Sequence, residues 1–147
     1  MYKKSLILLC ALVFVACSNT VSIKIHNTEK SNLNNRLDDV PITLIIYKLN
    51  NIEKFQKASD KDLITREDGT LGKDKIDSIK MQIVPKDEII AIKVEDKEVL
   101  YIGVLVLFAN SDKKITKIWA ETDDASGLGD DKVLTFEITQ NGIKRIQ

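Results

Sequence analysis

Few residues in this 147-residue chain could carry out chemistry: two cysteines, Cys10 and Cys17, one histidine, His26, and scattered carboxylates. A single imidazole argues against most zinc sites and most acid–base pairs, which draw on a second histidine or a neighbouring nucleophile. An enzyme built on this sequence would have to work with carboxylates. The acid-rich stretch Asp123-Asp124-Ala125-Ser126-Gly127-Leu128-Gly129-Asp130-Asp131 could gather oxygens around calcium. Its spacing does not match a coordinating loop, so it reads as a solvated strand connection, with adventitious cation binding as the alternative. His26 closes a predicted strand and reads as a surface or edge residue. The chain has no G-x-S-x-G elbow, P-loop, H-E-x-x-H, C-x-x-C or EF-hand pattern. No catalytic residue, metal ligand, cofactor or small-molecule substrate is expected. Lys plus Arg number 22 against 22 Asp plus Glu, interleaved as in Lys73-Asp74-Lys75. Nucleic-acid binding relies on a basic surplus gathered on one face, so that class is not expected either.

The chemistry the sequence does specify lies at Cys17. Lys3-Lys4 precedes an apolar run from Leu6 to Ala16, about eleven residues, whereas a membrane-spanning helix needs about 20. Phe14-Val15-Ala16-Cys17, followed by Ser18-Asn19, has the form of a bacterial lipobox, with Phe14 where leucine is usual. Cys10 fits less well, because bulky Leu9 precedes it and the apolar run before it is short. The expectation is a signal peptide over 1–16, a lipidated tether over 17–20 and one domain over 21–147. The other reading is an uncleaved anchor or an ordinary signal peptide with incidental cysteines. A diacylglyceryl thioether on Cys17 with an N-acyl chain of the palmitate type supplies the more than one lipid chain that stable anchoring requires. Ser18, rather than aspartate, after the cysteine resembles lipoproteins sent to the outer membrane, facing the periplasm. Cleavage would leave 20 basic and 22 acidic residues, a net charge of −2, and no free thiol.

The elements that would position any site are mostly strands. Residues 17–147 hold 19 Ile and 8 Val against five Ala, a bias toward residues that pack on pleated sheets. Predicted strands run over 21–26, 42–49, 76–83, 88–94, 99–108, 116–122, 133–139 and 142–146. Each is flanked by Asn, Asp, Gly or Pro. Ser22-Ile23-Lys24-Ile25-His26 and Leu134-Thr135-Phe136-Glu137-Ile138 alternate strictly, which buries one face and wets the other. The run Leu100–Ala109 reads as an inner strand covered on both sides. Gln140-Asn141-Gly142 predicts a closing hairpin with Asn-Gly in positive φ. Ile52, Phe55, Ala58 and Leu63 predict one or two short helices over Asn51–Ile64, with Ser59 as a cap. Glu67-Asp68-Gly69 and Gly72 read as turns. The whole predicts a mainly β, two-sheet antiparallel sandwich with one or two short added helices.

Asn27–Pro41 stands out against this frame. It is longer than a hairpin requires, and loops of this size in compact domains are usually functional or disordered. Its apolar residues Leu33 and Leu37 either plug the sandwich end or project as anchors, with Arg36 between them. Trp119, the single tryptophan, reads as core packing, with an exposed anchor as the alternative.

The order of lipobox, Leu33-Asn34, Pro41-Ile42-Thr43-Leu44-Ile45-Ile46-Tyr47-Lys48-Leu49, Phe55, Pro85, Tyr101-Ile102-Gly103 through Phe108, and Trp119 resembles the TssJ (VasD, SciN) lipoproteins of the bacterial type VI secretion system. The resemblance implies a transthyretin-like sandwich with a small helical addition. It also implies a structural role at the outer membrane, where the lipoprotein anchors the periplasmic C-terminal domain of the inner-membrane protein TssM. In the family the loop between the first two strands contacts TssM, which carries over onto Leu33, Asn34, Asn35, Arg36 and Leu37. Lys86 stands where the family usually has glycine, and Ala120 where it has arginine. The alternative from the residues alone is a periplasmic binding or inhibitor lipoprotein of an unrelated pathway.

Overall fold

The computed structural model describes residues 19–128 and 132–147; the predicted signal peptide and Cys17 lie outside the described residues. Eight strands form in the predicted order: β1 Thr20–Asn27, β2 Ile42–Leu49, β3 Lys75–Ile83, β4 Glu88–Glu95, β5 Tyr101–Leu107, β6 Lys117–Glu121, β7 Lys132–Thr139 and β8 Gly142–Arg145. They build two four-stranded sheets, ordered β4-β1-β7-β8 and β3-β2-β5-β6. The antiparallel two-sheet sandwich forms as expected, with one parallel pair within it, β1 and β7, Val21 opposite Lys132 through Asn27 opposite Ile138. The physical reason is that the chain leaves β1 for the other sheet, so the slot beside it is filled by a strand entering from the same end.

Alternation builds the core. Val21, Ile23 and Ile25 of β1 and Leu134, Phe136 and Ile138 of β7 face Ile42, Leu44 and Ile46 of β2 and Ile102, Val104 and Val106 of β5, all nearly fully buried. The opposite face of β2 and β5 carries a second cluster, Ile45, Tyr47, Leu49 and Leu105, closed over by Phe55, Leu63 and Leu71. β5 is therefore covered on both sides, as its unbroken apolar run predicts.

The cover is three short helices rather than one or two: α1 Glu53–Lys57, α2 Asp60–Thr65 and α3 Glu67–Leu71. Ser59 caps α2 as expected, its Oγ accepting from the Asp62 amide at 3.1 Å. Glu67-Asp68-Gly69, read as a turn, forms part of α3 instead, whereas Gly72 ends that helix with a φ of +53°. Leu71 is buried there, and Lys75 donates to Glu67 at 2.8 Å and also to Asp68. Phe55 lies flat on Gly103, where a Cβ would meet the ring at 2.7 Å. That close approach gives Gly103 its place in the Tyr101-Ile102-Gly103 sequence. Trp119 is a second correction. Opposite Gly103 on β6, it lies beyond the helical cover, 36% exposed, with its ring edge-on to Tyr101 at 5.9 Å. The β7–β8 hairpin forms, but positive φ falls on Gly142 and not on Asn141, because Gln140 and Asn141 are the two turn residues.

Candidate functional site: the loop between the first two strands

β1 sets the orientation of everything that follows. Its first residue, Thr20, is the last of the predicted tether 17–20, and its last, Asn27, opens the loop, so the two lie at opposite ends of a strand about 25 Å long. The β3–β4 turn, the β5–β6 loop and the β7–β8 turn meet the loop at this far end. Asn27 donates to the Ile83 and Val84 carbonyls at 3.2 and 3.1 Å. The Thr28 amide and hydroxyl both donate to the Ile138 carbonyl, at 3.0 and 2.7 Å.

Beyond Thr28 the loop is held by side-chain amides. Asn27, fully buried, accepts from the Ser31 hydroxyl. Asn32, 3% exposed, accepts from the Ala109 amide at 2.7 Å and donates to the Pro41 carbonyl at 3.0 Å. It therefore ties the start of the loop, its end and the β5–β6 connection together. A second strut crosses from that connection: the Lys114 ammonium donates to the Ser31 carbonyl at 3.1 Å and lies 4.5 Å from the Phe108 ring centre. Partial burial holds its pKa below the usual lysine value. Leu33 and Asp39 form a bridge that pinches the loop. At the tip Asn34 Oδ1 accepts from the Arg36 and Asp38 amides at 2.8 and 3.0 Å, and the Leu37 amide donates to the Asn34 carbonyl at 3.0 Å. Leu37 adopts φ of +64°.

The predicted contact residues thus divide. Leu33 and Asn34 are half-buried, and the Asn34 side chain is occupied in shaping the tip. Asn35, Arg36 and Leu37 stand in solvent, Leu37 at 77%. Of the two alternatives for the leucines, Leu37 projects and Leu33 is only partly withdrawn. Sequence reasoning missed Asn32, Ser31 and Lys114 as the residues that fix the base of the loop. Their signal was faint: a polar residue reveals its burial only when its distant partner is known.

The other candidates gather no chemistry. Half-exposed His26 lies 3.6 Å from Glu137 on the outer face of the first sheet. Among the described residues no group of three or more His, Cys, Asp or Glu side chains is placed to hold a metal. A hollow of about 300 Å³ lies by Thr20, Lys48, Asp77 and Glu98 at the tethered end. That is the bottom of the range for small-molecule sites, and its lining mixes charges of both signs.

A sandwich carrying a helical cover on one face and a locked, projecting loop at one end defines a small β-sandwich scaffold suited to holding a partner. The chain belongs to the T6SS-SciN family, described as type VI secretion lipoprotein, VasD, EvfM, TssJ, which matches residues 19–141. This is a family of membrane-bound secretion lipoproteins and not a known enzyme family. Solved structures agree on the fold. The type VI lipoprotein TssJ1 of Pseudomonas aeruginosa is 17% identical with a TM-score of 0.73, covering 88% of this chain and 95% of that one. Lip of Serratia marcescens, a membrane-bound component of the type VI secretion system, is 16% identical with a TM-score of 0.75 over 88% and 97%. A chain in a structure titled for the TssM C-terminal domain (869–1107) from EAEC is 19% identical with a TM-score of 0.71 over 86% and 99%. No curated protein sequence matches significantly.

Proposed function

We propose that this protein is the outer-membrane lipoprotein of a type VI secretion membrane complex, anchored through Cys17. It would hold the periplasmic C-terminal domain of a TssM-type inner-membrane protein through the β1–β2 loop. The observation that carries this reading is the loop itself: three buried polar residues, Asn27, Ser31 and Asn32, fix its base, and Arg36 and Leu37 are left exposed at its tip. A preordered loop loses little conformational freedom on binding, and an exposed Arg beside an apolar side chain is a combination suited to an interface anchor. Support also comes from the chain matched in the structure titled for TssM residues 869–1107. That chain, 99% covered by this one, is far shorter than the named range, as a separate lipoprotein beside TssM would be.

The test is copurification of the lipidated protein with the TssM-type protein after gentle extraction of the envelope. An Arg36→Glu, Leu37→Asp double variant is expected to weaken capture at least about tenfold, as losing one hot spot does. Full retention would sink the loop assignment. Independently, Cys17→Ala is expected to leave the outer-membrane fraction, and its persistence there would refute lipidation at that residue.

A further inference from the structure

The end of the sandwich opposite the loop is a surface of its own. Asn19 is already fastened to the domain: its carbonyl accepts from the Asp96 amide at 3.0 Å and its amide donates to Asp96 Oδ1 at 3.4 Å. Thr20 then donates to Glu95 at 3.2 Å. Only Ser18 separates Cys17 from this clamp, so the reach from the anchored cysteine to the fold is about 7 Å. A lipid anchor on that link would press this end against headgroups.

The residues gathered at this end fit such a surface. The β4–β5 turn presents exposed Lys97 and Leu100, the latter 46% exposed, and the β6–β7 connection presents Leu128, 88% exposed. Leu100 and the β6–β7 connection meet there, the Thr122 amide donating to the Leu100 carbonyl at 3.0 Å. Glu98 and Asp123 stand exposed at the same end, and Asp124 is held by Arg145 at 3.1 Å. Acids around exposed leucines favour an electrically neutral surface over an anionic one. We infer that the tethered end is a lipid-contact face, with Leu100 and Leu128 entering the interface of a phosphatidylethanolamine-rich leaflet, which holds the β1–β2 loop upright and away from the membrane. This rests on lipidation at Cys17.

The mature sequence offers no other free thiol, so single labels are simple to place. The full-length lipoprotein is reconstituted into phosphatidylethanolamine–phosphatidylcholine vesicles carrying a headgroup-level quencher, with a fluorophore on Lys97→Cys or on Leu37→Cys. The label at 97 is expected to be quenched several-fold more than the label at 37, and adding Leu100→Asp and Leu128→Asp should reduce that quenching. Equal quenching at the two positions overturns the orientation, and undiminished quenching in the doubly substituted protein overturns the leucine contact. Protein that does not float with the vesicles removes the anchor reading itself, and this inference with it.

Discussion

The helical cover and the β1–β2 loop are both additions to the same sandwich, yet they are held by opposite means. The cover is fastened by apolar side chains, with Phe55, Leu63 and Leu71 pressed onto Tyr47, Gly103 and Leu105. The loop is fastened by amides and hydroxyls at Asn27, Ser31, Asn32 and Asn34. One lysine bridges to each. Lys117 donates to the Phe55, Gln56 and Ala58 carbonyls at 2.8, 3.2 and 2.6 Å and closes the C-terminal end of α1, while Lys114 supports the loop. Apolar burial stabilises without fixing direction, whereas hydrogen bonds contribute less net energy but hold a backbone in one geometry. The cover therefore serves the stability of the fold, and the loop serves the presentation of its tip.

The largest test of that division is Phe55→Ala. Removing a fully buried ring should cost about 3–5 kcal/mol in chemical denaturation, with partner capture per folded molecule unchanged. Asn32→Ala should separate the two properties in the other direction. It removes the buried Asn32 amide that joins the Ala109 amide to the Pro41 carbonyl, costing about 1 kcal/mol because both of those groups sit on solvent-exposed residues, and capture should fall further than the loss of folded protein explains. Equal capture by the folded fractions of the two variants would erase the contrast.

The lysines sharpen it through pH. Burial lowers the pKa of both Lys114 and Lys117. The unfolded chain therefore binds more protons between each lowered value and the ordinary lysine value of about 10.5, and stability contributed by these groups rises with pH across that window. Melting curves taken toward pH 10 should show the wild type gaining on Lys117→Met, and parallel curves would discount the burial. The smallest effect is expected at Lys86, whose φ of +69° in the turn after Pro85 is costly for any side chain. Lys86→Gly should stabilise by a few tenths to about 1 kcal/mol, glycine's own entropy loss offsetting part of the relief.

The same contrast explains what could be read from sequence. Strands followed from alternation in β1 and β7 and from unbroken apolar runs in β2 and β5, each a local pattern. Phe55 and Leu63 announced the cover, but α3 was hidden because Gly69 and Gly72 signal turns, and only tertiary burial of Leu71 outweighs them. Trp119 misled because a lone large aromatic suggests burial, although alternation along β6 puts it on the outer face with Lys117 and Glu121, opposite the core residues Ile118 and Ala120. The loop was visible from its length and its asparagines. Its locking was not, since Asn32 meets Ala109 across 77 residues of chain. The parallel β1–β7 pairing was equally out of reach, being a property of chain routing.

β1 also has a mechanical meaning. It is hydrogen-bonded along its length on both sides, to β4 and to β7, with the predicted anchor at one end and the projecting loop at the other. Tension between a membrane and a partner gripping the loop would run along the strand, perpendicular to its hydrogen bonds. Both ladders would then share the load in shear, many bonds resisting at once, where a strand pulled from one edge would open bond by bond.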